Sequence, residues 1–275
     1  MITIAVPGGS RQEIVDVMMA AQKAYGDNVH FLVFDSTDNL APGLWTYQYC
    51  EDEEESVAAA VKAIVNGDAQ ILMKGLVQTR TVLKEVLKKE NDLRDKTLLS
   101  HVTLVHLPQI DRQIMLTDAA MNIEPTADQL VQIIENAVEV CHSIGIKTPK
   151  VALLSSAEKF NPKMPSSVLA SEVMTRMKDY KQAVIYGPLS LDLAISEKAV
   201  RHKRFEAPIA GDADVIVVPN IDVGNALYKS FVIVGNAVNG GTIVGAKVPI
   251  VLTSRSDETE SKLFALDFAI KQVQV

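Results

Sequence analysis

The chain has 275 residues, of which 48% are hydrophobic and 22% charged, and its formal net charge is -7. That is the composition of a globular protein with one large domain or two modest ones, each long enough to bury a core. No apolar run approaches the roughly 18 residues of a membrane span. The acidic balance excludes general binding to nucleic acid or anionic membranes, so an anionic substrate must meet a locally basic site.

The first stretch, ITIAVPG, reads as a strand running into a glycine turn, without a signal-peptide layout. RQEIVDVMMAAQKAYG has apolar spacings of three and four and predicts a helix; VHFLVFD predicts a second strand. The acidic run EDEEE at 51–55 reads as a solvated helix start that suits the helix dipole. SVAAAVKAIVNGD continues that helix, and AQILMKG predicts a third strand. After TVLKEVLKKENDLRDK the pattern changes. TLLSHVTLVHLP and RQIMLTDAAM predict neighbouring, antiparallel strands, followed by a long helix over 126–144. KVALLSS, AVIYGPLS, ADVIVVPN and VPIVLTS predict further strands. The alternation indicates an α/β fold with a largely parallel sheet.

In such sheets ligands collect beyond the carboxyl ends of the strands. Several predicted strands end in small or polar residues: Lys74-Gly75, Ser155-Ser156, Gly187-Pro188, Asn220 and Ser254-Arg255. Each is a turn when taken singly; together they sketch a cleft. Arg255 stands where a strand hands over to a helix, a place where a guanidinium fork and free backbone N–H groups can hold a phosphate, with Ser254 beside it. Asp257 and Glu260 lie in the first helical turns, where the dipole favours carboxylates with or without chemistry. Lys74 and Gly75 close a strand, Gln78 and Thr79 are placed to cap a helix, and Arg80 and Lys84 share a helix face. Arg201, His202, Lys203 and Arg204 form a compact basic patch, either a solvated helix end or a seat for phosphates.

Other signals are weaker. Ser156-Ala-Glu-Lys159 matches the short Ser-x-x-Lys pattern without the rest of that signature. His30, His101, His106, His142 and His202 show no metal-ligand spacing, and VNGGTIVGAKVP lacks the dinucleotide glycine arrangement. Cys141 falls on an apolar helix face with Leu130, Ile134 and Val138, and Cys50 has no evident partner. Neither implies a disulfide, and the expected compartment is the cytoplasm. The residues alone lead to an enzyme for anionic, phosphorylated substrates, with no call for a metal, a hydride carrier or a covalent cysteine.

From about residue 69 the chain resembles the phosphate acyltransferases, the phosphate butyryltransferase branch more than the phosphate acetyltransferases. The stretches that carry the resemblance are MKGLVQT, LLSHV, LTDAAMNIEP, NPKMPSS, GPLSLDLAIS, AGDADVIVVPNIDVGNALYK, NGGTIVG and PIVLTSRSD. The resemblance implies the reaction acyl-CoA + phosphate ⇌ acyl phosphate + CoA, on butyryl or branched short-chain acyl groups. Coenzyme A and phosphate are then substrates, with no cofactor and no metal, and the expected partners are a second copy of the chain and an acyl-phosphate kinase. It also implies two α/β lobes of the isocitrate and isopropylmalate dehydrogenase kind with a cleft between them. On that plan, 1–96 and 250–275 form the first lobe, carrying the Ser-Arg motif, and 97–249 form an inserted second lobe. Alternatives are acetyl specificity, a hydroxyacid oxidoreductase of the same architecture, or a non-catalytic anion-binding protein.

The family's Ser-Arg pair matches Ser254-Arg255, with the arginine on phosphate and the transition state. The aspartate proposed to take the CoA thiol proton lies six places beyond that arginine, and Ser261 stands there here. Asp257 and Glu260 are the carboxylates left, with Asp257 ranked first because its spacing matches the Ser-Arg-x-Asp of the butyryl branch. A cleft arginine of the acetyl enzymes is matched by Lys84, which keeps the charge without the fork. Lys74, Gly75, Gln78, Thr79, Lys84, Arg201, Lys203, Arg204 and Asn225, the last within AGDADVIVVPNIDVGNALYK, make up the expected substrate-binding set.

Overall fold

The computed structural model describes residues 1–37, 45–110, 112–252 and 258–273. The chain forms two compact units, Met1–Thr97 with Asn239–Val275, and Leu98–Val238. The first opens with β1 (Ile2–Pro7), α1 (Gln12–Tyr25), β2 (Val29–Asp35), β3 (Trp45–Tyr49), α2 (Glu53–Val65), β4 (Ile71–Met73) and α3 (Thr79–Val86). Its sheet runs β3-β2-β1-β4, with every one of these pairs parallel. The β1 residues from Thr3 to Pro7 are all buried, as expected of a central parallel strand covered on both faces. The acidic run is a helix start as read: the Asp52 carboxylate accepts from Glu55 N at 2.8 Å, with three glutamates in the first turn.

The second unit begins with β5 (Ser100–His106) and β6 (Gln113–Thr117), paired antiparallel as predicted. α4 (Ala127–Ser143) starts at a capping box between Thr126 and Gln129. β7 (Lys150–Leu154), α5 (Pro165–Arg176), β8 (Val184–Leu189), α6 (Leu191–Ile195), α7 (Glu197–Lys203), β9 (Val215–Val217) and α8 (Ile221–Ile233) follow. β6, β9, β7 and β8 lie side by side in that order, all parallel.

The chain then returns to the first unit through β10 (Val238–Val244), β11 (Ile250–Val251) and α9 (Thr259–Val273). β11 inserts beside β4 in parallel and pairs with β10 in antiparallel. This corrects the expected lobe boundary, because residues 239–249 go with the first unit. Lys247 N donates to Leu93 O at 2.9 Å, Arg94 bridges to Ala246, and Gly240 lies against Ala265 of α9. β3 and β10 were not foreseen as strands.

α9 packs against α1, and its buried Leu266, Ala269 and Ile270 join Val17, Met18 and Ala21 in one core. On this seam the Tyr25 hydroxyl donates to Asp267 Oδ1 at 3.0 Å. Burial holds the Asp267 carboxyl above its usual range, although the Tyr25 hydrogen bond and Lys271 pull the other way. The folded state thus binds this proton more tightly than the unfolded chain. Its contribution is full below the unfolded pKa and is lost as pH rises through the folded one. Asp267→Asn keeps an acceptor for Tyr25 and removes the charge. It should raise Tm at pH 8 by about 1–2 °C and change it less at pH 4. A fall in Tm at pH 8 in a thermal scan would show that the charge is needed.

Candidate functional site

The loops at the carboxyl ends of β1 and β4 are joined by their backbones. Gly75 N donates to Pro7 O at 3.0 Å and Leu76 N to Gly8 O at 2.9 Å. Gly8 has φ +67, and a Cβ on Gly75 would lie 2.2 Å from Gly8 O, so both positions need glycine. Lys74 is 4% exposed, and its Nζ donates to the carbonyls of Gly75 (3.1 Å) and Val77 (3.2 Å). The buried ammonium thus braces its own loop.

Gln78 and Thr79 do not cap α3 through their side chains. Gln78 occupies the cap position without a side-chain cap bond. Glu53 of α2 does the capping, accepting from Gln78 N at 3.0 Å and from the Thr81 hydroxyl at 2.8 Å. A carboxylate there also answers the positive end of α3. Lys84 is exposed and lines an open cavity of about 590 Å³ between α2 and α3, with Arg80 on its own wall and Glu54 and Glu55 opposite.

β11, which precedes the Ser-Arg stretch in the sequence, lies beside β4. Lys74 N donates to Val251 O at 3.0 Å, which ties β11 to the start of the Lys74-Gly75 turn. Ser254, Arg255 and Asp257 lie outside the described residues. Glu260 is exposed in the first turn of α9.

The second unit holds the basic patch, and its charge is partly spent. Lys203 Nζ lies 2.9 Å from Asp192 Oδ2 and 3.7 Å from Glu158 Oε1, and Arg201 pairs with Glu197 at 3.1 Å. Its hydrogen bond to Asp192 holds the Lys203 ammonium above its usual range and the Asp192 carboxyl below its own. Arg204 caps α7 in the left-handed region at φ 51. Asn225 is exposed on α8, and Asn220 serves as that helix's cap, accepting from Val223 N at 3.0 Å. The sequence reading missed the roles of Glu158 and Asp192 because the cation they hold, Lys203, is distant from both in the sequence.

It also missed a polar pair in LLSHV and LTDAAMNIEP. Asp118 accepts from Ala120 N (2.9 Å), Met121 N (3.0 Å) and Asn122 Nδ2 (2.6 Å), and its charge acts on His101. Burial lowers the His101 pKa against that pull, so the ring is neutral at pH 7, with Nδ1 3.2 Å from the Thr103 hydroxyl. Among the described residues, no group of three or more His, Cys, Asp or Glu is placed to hold a metal ion, and no helix is long and apolar enough to cross a membrane.

The sequence pattern of the family described as "Phosphate acetyl/butaryl transferase" matches residues 49–270. The "Probable phosphate butyryltransferase" of Bacillus subtilis (strain 168) is 43% identical over 277 residues, covering 98% of this chain and 92% of the relative. The chain belongs to the phosphate acetyl/butyryl transferase family. A branched-chain phosphotransacylase from Enterococcus faecalis V583 superposes with a TM-score of 0.96 at 54% identity, covering 100% of this chain and 99% of that one. A 4-hydroxythreonine-4-phosphate dehydrogenase from Klebsiella pneumoniae shares the fold alone: its TM-score is 0.62 at 9% identity, covering 99% of each chain.

In this member of the phosphate acetyl/butyryl transferase family, neither cysteine is poised as a nucleophile. Cys50 is fully buried, and burial, then Glu55, Asp35 and Asp52, push its thiol up to about 11. Cys141 packs its Sγ 3.7 Å from Met115 Sδ, and burial raises its thiol to about 12. The sequence reading of Cys141 as core therefore holds. The attacking form of a cysteine is the thiolate. Iodoacetamide on the native protein should thus leave turnover unchanged under conditions in which the urea-unfolded chain loses both thiols. Inactivation in step with native alkylation would show that a thiol takes part.

Proposed function

We propose that this chain catalyses acyl-CoA + phosphate ⇌ acyl phosphate + CoA on butyryl or branched short-chain acyl groups. The observation that supports the acyl preference is the end-to-end likeness to the Enterococcus branched-chain phosphotransacylase. The two units serve as lobes of the isocitrate and isopropylmalate dehydrogenase kind. The first supplies Ser254-Arg255 and Lys84 for the phosphate end, with Lys74 bracing the Gly75 turn; the second supplies Arg201, Lys203, Arg204 and Asn225 for coenzyme A. Phosphate, held by the Arg255 fork, attacks the thioester carbonyl directly. Its oxygen forms the new bond, the C–S bond breaks, and the thiolate leaves to be protonated by Asp257. In reverse, Asp257 takes the thiol proton as sulfur attacks the acyl phosphate.

A thiol of pKa about 8.5 is already about 3% ionised at pH 7, so a base can raise the thiolate fraction about 30-fold at most. Asp257→Asn should accordingly lower kcat for acyl-CoA formation about tenfold at pH 7 and by less as pH rises above the thiol pKa. If Glu260→Gln shows that pH-dependent loss and Asp257→Asn does not, the base is Glu260.

The enzyme works in the cytoplasm as a homo-oligomer beside an acyl-phosphate kinase. The apolar carboxyl end of α8 supports self-association, since Ile233 is 72% exposed and the adjoining Val234 80%. The test of the whole reading is phosphate-dependent CoA release from acetyl-, propionyl-, butyryl-, isobutyryl- and isovaleryl-CoA. The expected kcat/KM is highest for the four- and five-carbon thioesters. Best turnover of acetyl-CoA would make the chain an acetyl enzyme, and no release from any thioester would overturn the reading.

A further inference from the structure

We propose that an open groove in the first unit binds a small zwitterion of the α-amino acid class, one with an apolar side chain. β3 is the end strand of the sheet, and its alternation sends Trp45 and Tyr47 to the core beside α1. Thr46 and Gln48 therefore stand on the other face, in register with Leu32 and Phe34 of β2. α2 packs on β1 and β2, so the flank of this helix and the two outer strands bound a groove of about 540 Å³. That volume falls within the roughly 300–1,000 Å³ usual for small-molecule sites. The groove lies apart from the residues of the acyl-transfer reading, since Asn66 and Asp68 precede β4 and the Lys74-Gly75 turn follows it.

The helical wall is a single face of α2. Ala59, Lys62, Ala63 and Asn66 recur there at spacings of three and four. The two alanines are short enough to leave room above Leu32 and Phe34, and these four side chains make an apolar floor. Polar groups stand around it with their bonding capacity unspent. Gln48, Lys62, Asn66 and Asp68 are all exposed, and among the described residues none of them has a side-chain hydrogen bond or an ion pair. Thr46 differs, its hydroxyl lying 3.0 Å from His30 Nε2.

Charge decides the class of ligand. Lys62 and Asp68 line the same groove with opposite signs and do not pair with each other. A simple anion would find Lys62 but also meet Asp68, and a simple cation would meet the reverse. A molecule carrying one charge of each sign answers both, with a charge-assisted hydrogen bond at each end. The amides of Gln48 and Asn66 can each donate and accept, so they serve a carboxylate or an ammonium equally. An α-amino acid holds its two charges on one carbon and leaves its side chain free to cover Leu32, Ala59 and Ala63. An aliphatic side chain suits that floor, whereas a polar one would exchange water for carbon.

L-leucine is the ligand to test, and the readouts are Tm and a Kd from a nuclear magnetic resonance titration. At 10 mM it should raise the Tm of the native protein by about 2–4 °C, the shift of a ligand at ten times its Kd. N-acetyl-L-leucine, which lacks the ammonium, and L-leucinamide, which lacks the carboxylate, should leave Tm unchanged. Glycine, with no side chain for the floor, should bind more weakly than leucine. Lys62→Met and Asp68→Asn change exposed side chains, and each should raise the Kd for leucine about tenfold. A native protein whose Tm ignores leucine would overturn the proposal. So would an equal shift from either half-charged analogue, or a leucine Kd that neither variant alters. Glycine binding as tightly as leucine would overturn the apolar side chain. The analogues are read on the native protein, so they decide the matter even if a variant does not fold. None of these measurements needs thioester turnover, so the acyltransferase reading can fail without touching this one.

Discussion

Arg255→Lys should lower kcat/KM for phosphate by about 30-fold or more, a loss of ~2 kcal/mol of transition-state stabilisation, in a protein that folds normally. The charge is conserved in this substitution; the geometry is not. A guanidinium offers two parallel N–H groups to two phosphate oxygens, whereas an ammonium meets them as a point charge. Lys84 is a lysine and has no fork to offer, and Lys74 spends its ammonium on the Gly75 and Val77 carbonyls. Neither supplies a spare fork, so Arg255 is expected to be the fork on which phosphate orientation depends. The variant's loss should appear in the phosphate parameters first, with KM for acyl-CoA little changed. Near-normal turnover in a folded Arg255→Lys protein, checked by circular dichroism, would remove Arg255 from the phosphate site.

Much of the fold was legible because its strands are buried on both faces and so read as continuous apolar runs. β1, β4, β7 and β9 are of this kind, and the long α4 announces itself with Thr126 and Gln129. β3 escaped because WTYQY is aromatic and polar, half-exposed at the end of its sheet. β10 escaped because its two glycines read as loop, although Gly240 is there to let α9 approach. The site was legible only in part, for a different reason. Gln78 looks like a cap by position, but the cap is Glu53, 25 residues away. Lys203 looks like a free cation by composition, but Asp192 and Glu158 hold it, one from the start of α6 and the other from the turn after β7. Local spacing reports the type of a side chain and its helix face. Which partner satisfies it across the fold is decided by packing.

The largest structural effect should come from one methyl group at Gly75. Its ideal Cβ would stand 2.2 Å from Gly8 O, 2.6 Å from Gly8 C and 2.7 Å from Pro7 O. All three are backbone atoms, so no rotamer change can relieve the overlap. The β1 and β4 loops would have to part, breaking the Gly75 N to Pro7 O and Leu76 N to Gly8 O hydrogen bonds. Gly75→Ala should therefore cost about 3 kcal/mol or more, lowering Tm by roughly 6–12 °C. Activity should fall as well, because Lys74 of this turn also holds Val251 O of β11, the strand that precedes Ser254 and Arg255 in the sequence. Gly145→Ala separates crowding from backbone strain. Gly145 has φ +93 and nothing within 4 Å of its ideal Cβ, so that variant bears strain alone, about 1 kcal/mol. Equal melting temperatures for the two variants would mean that the loops part freely. A drop at Gly75 several times that at Gly145 would show that the Pro7-Gly8 and Lys74-Gly75 turns are held as one piece.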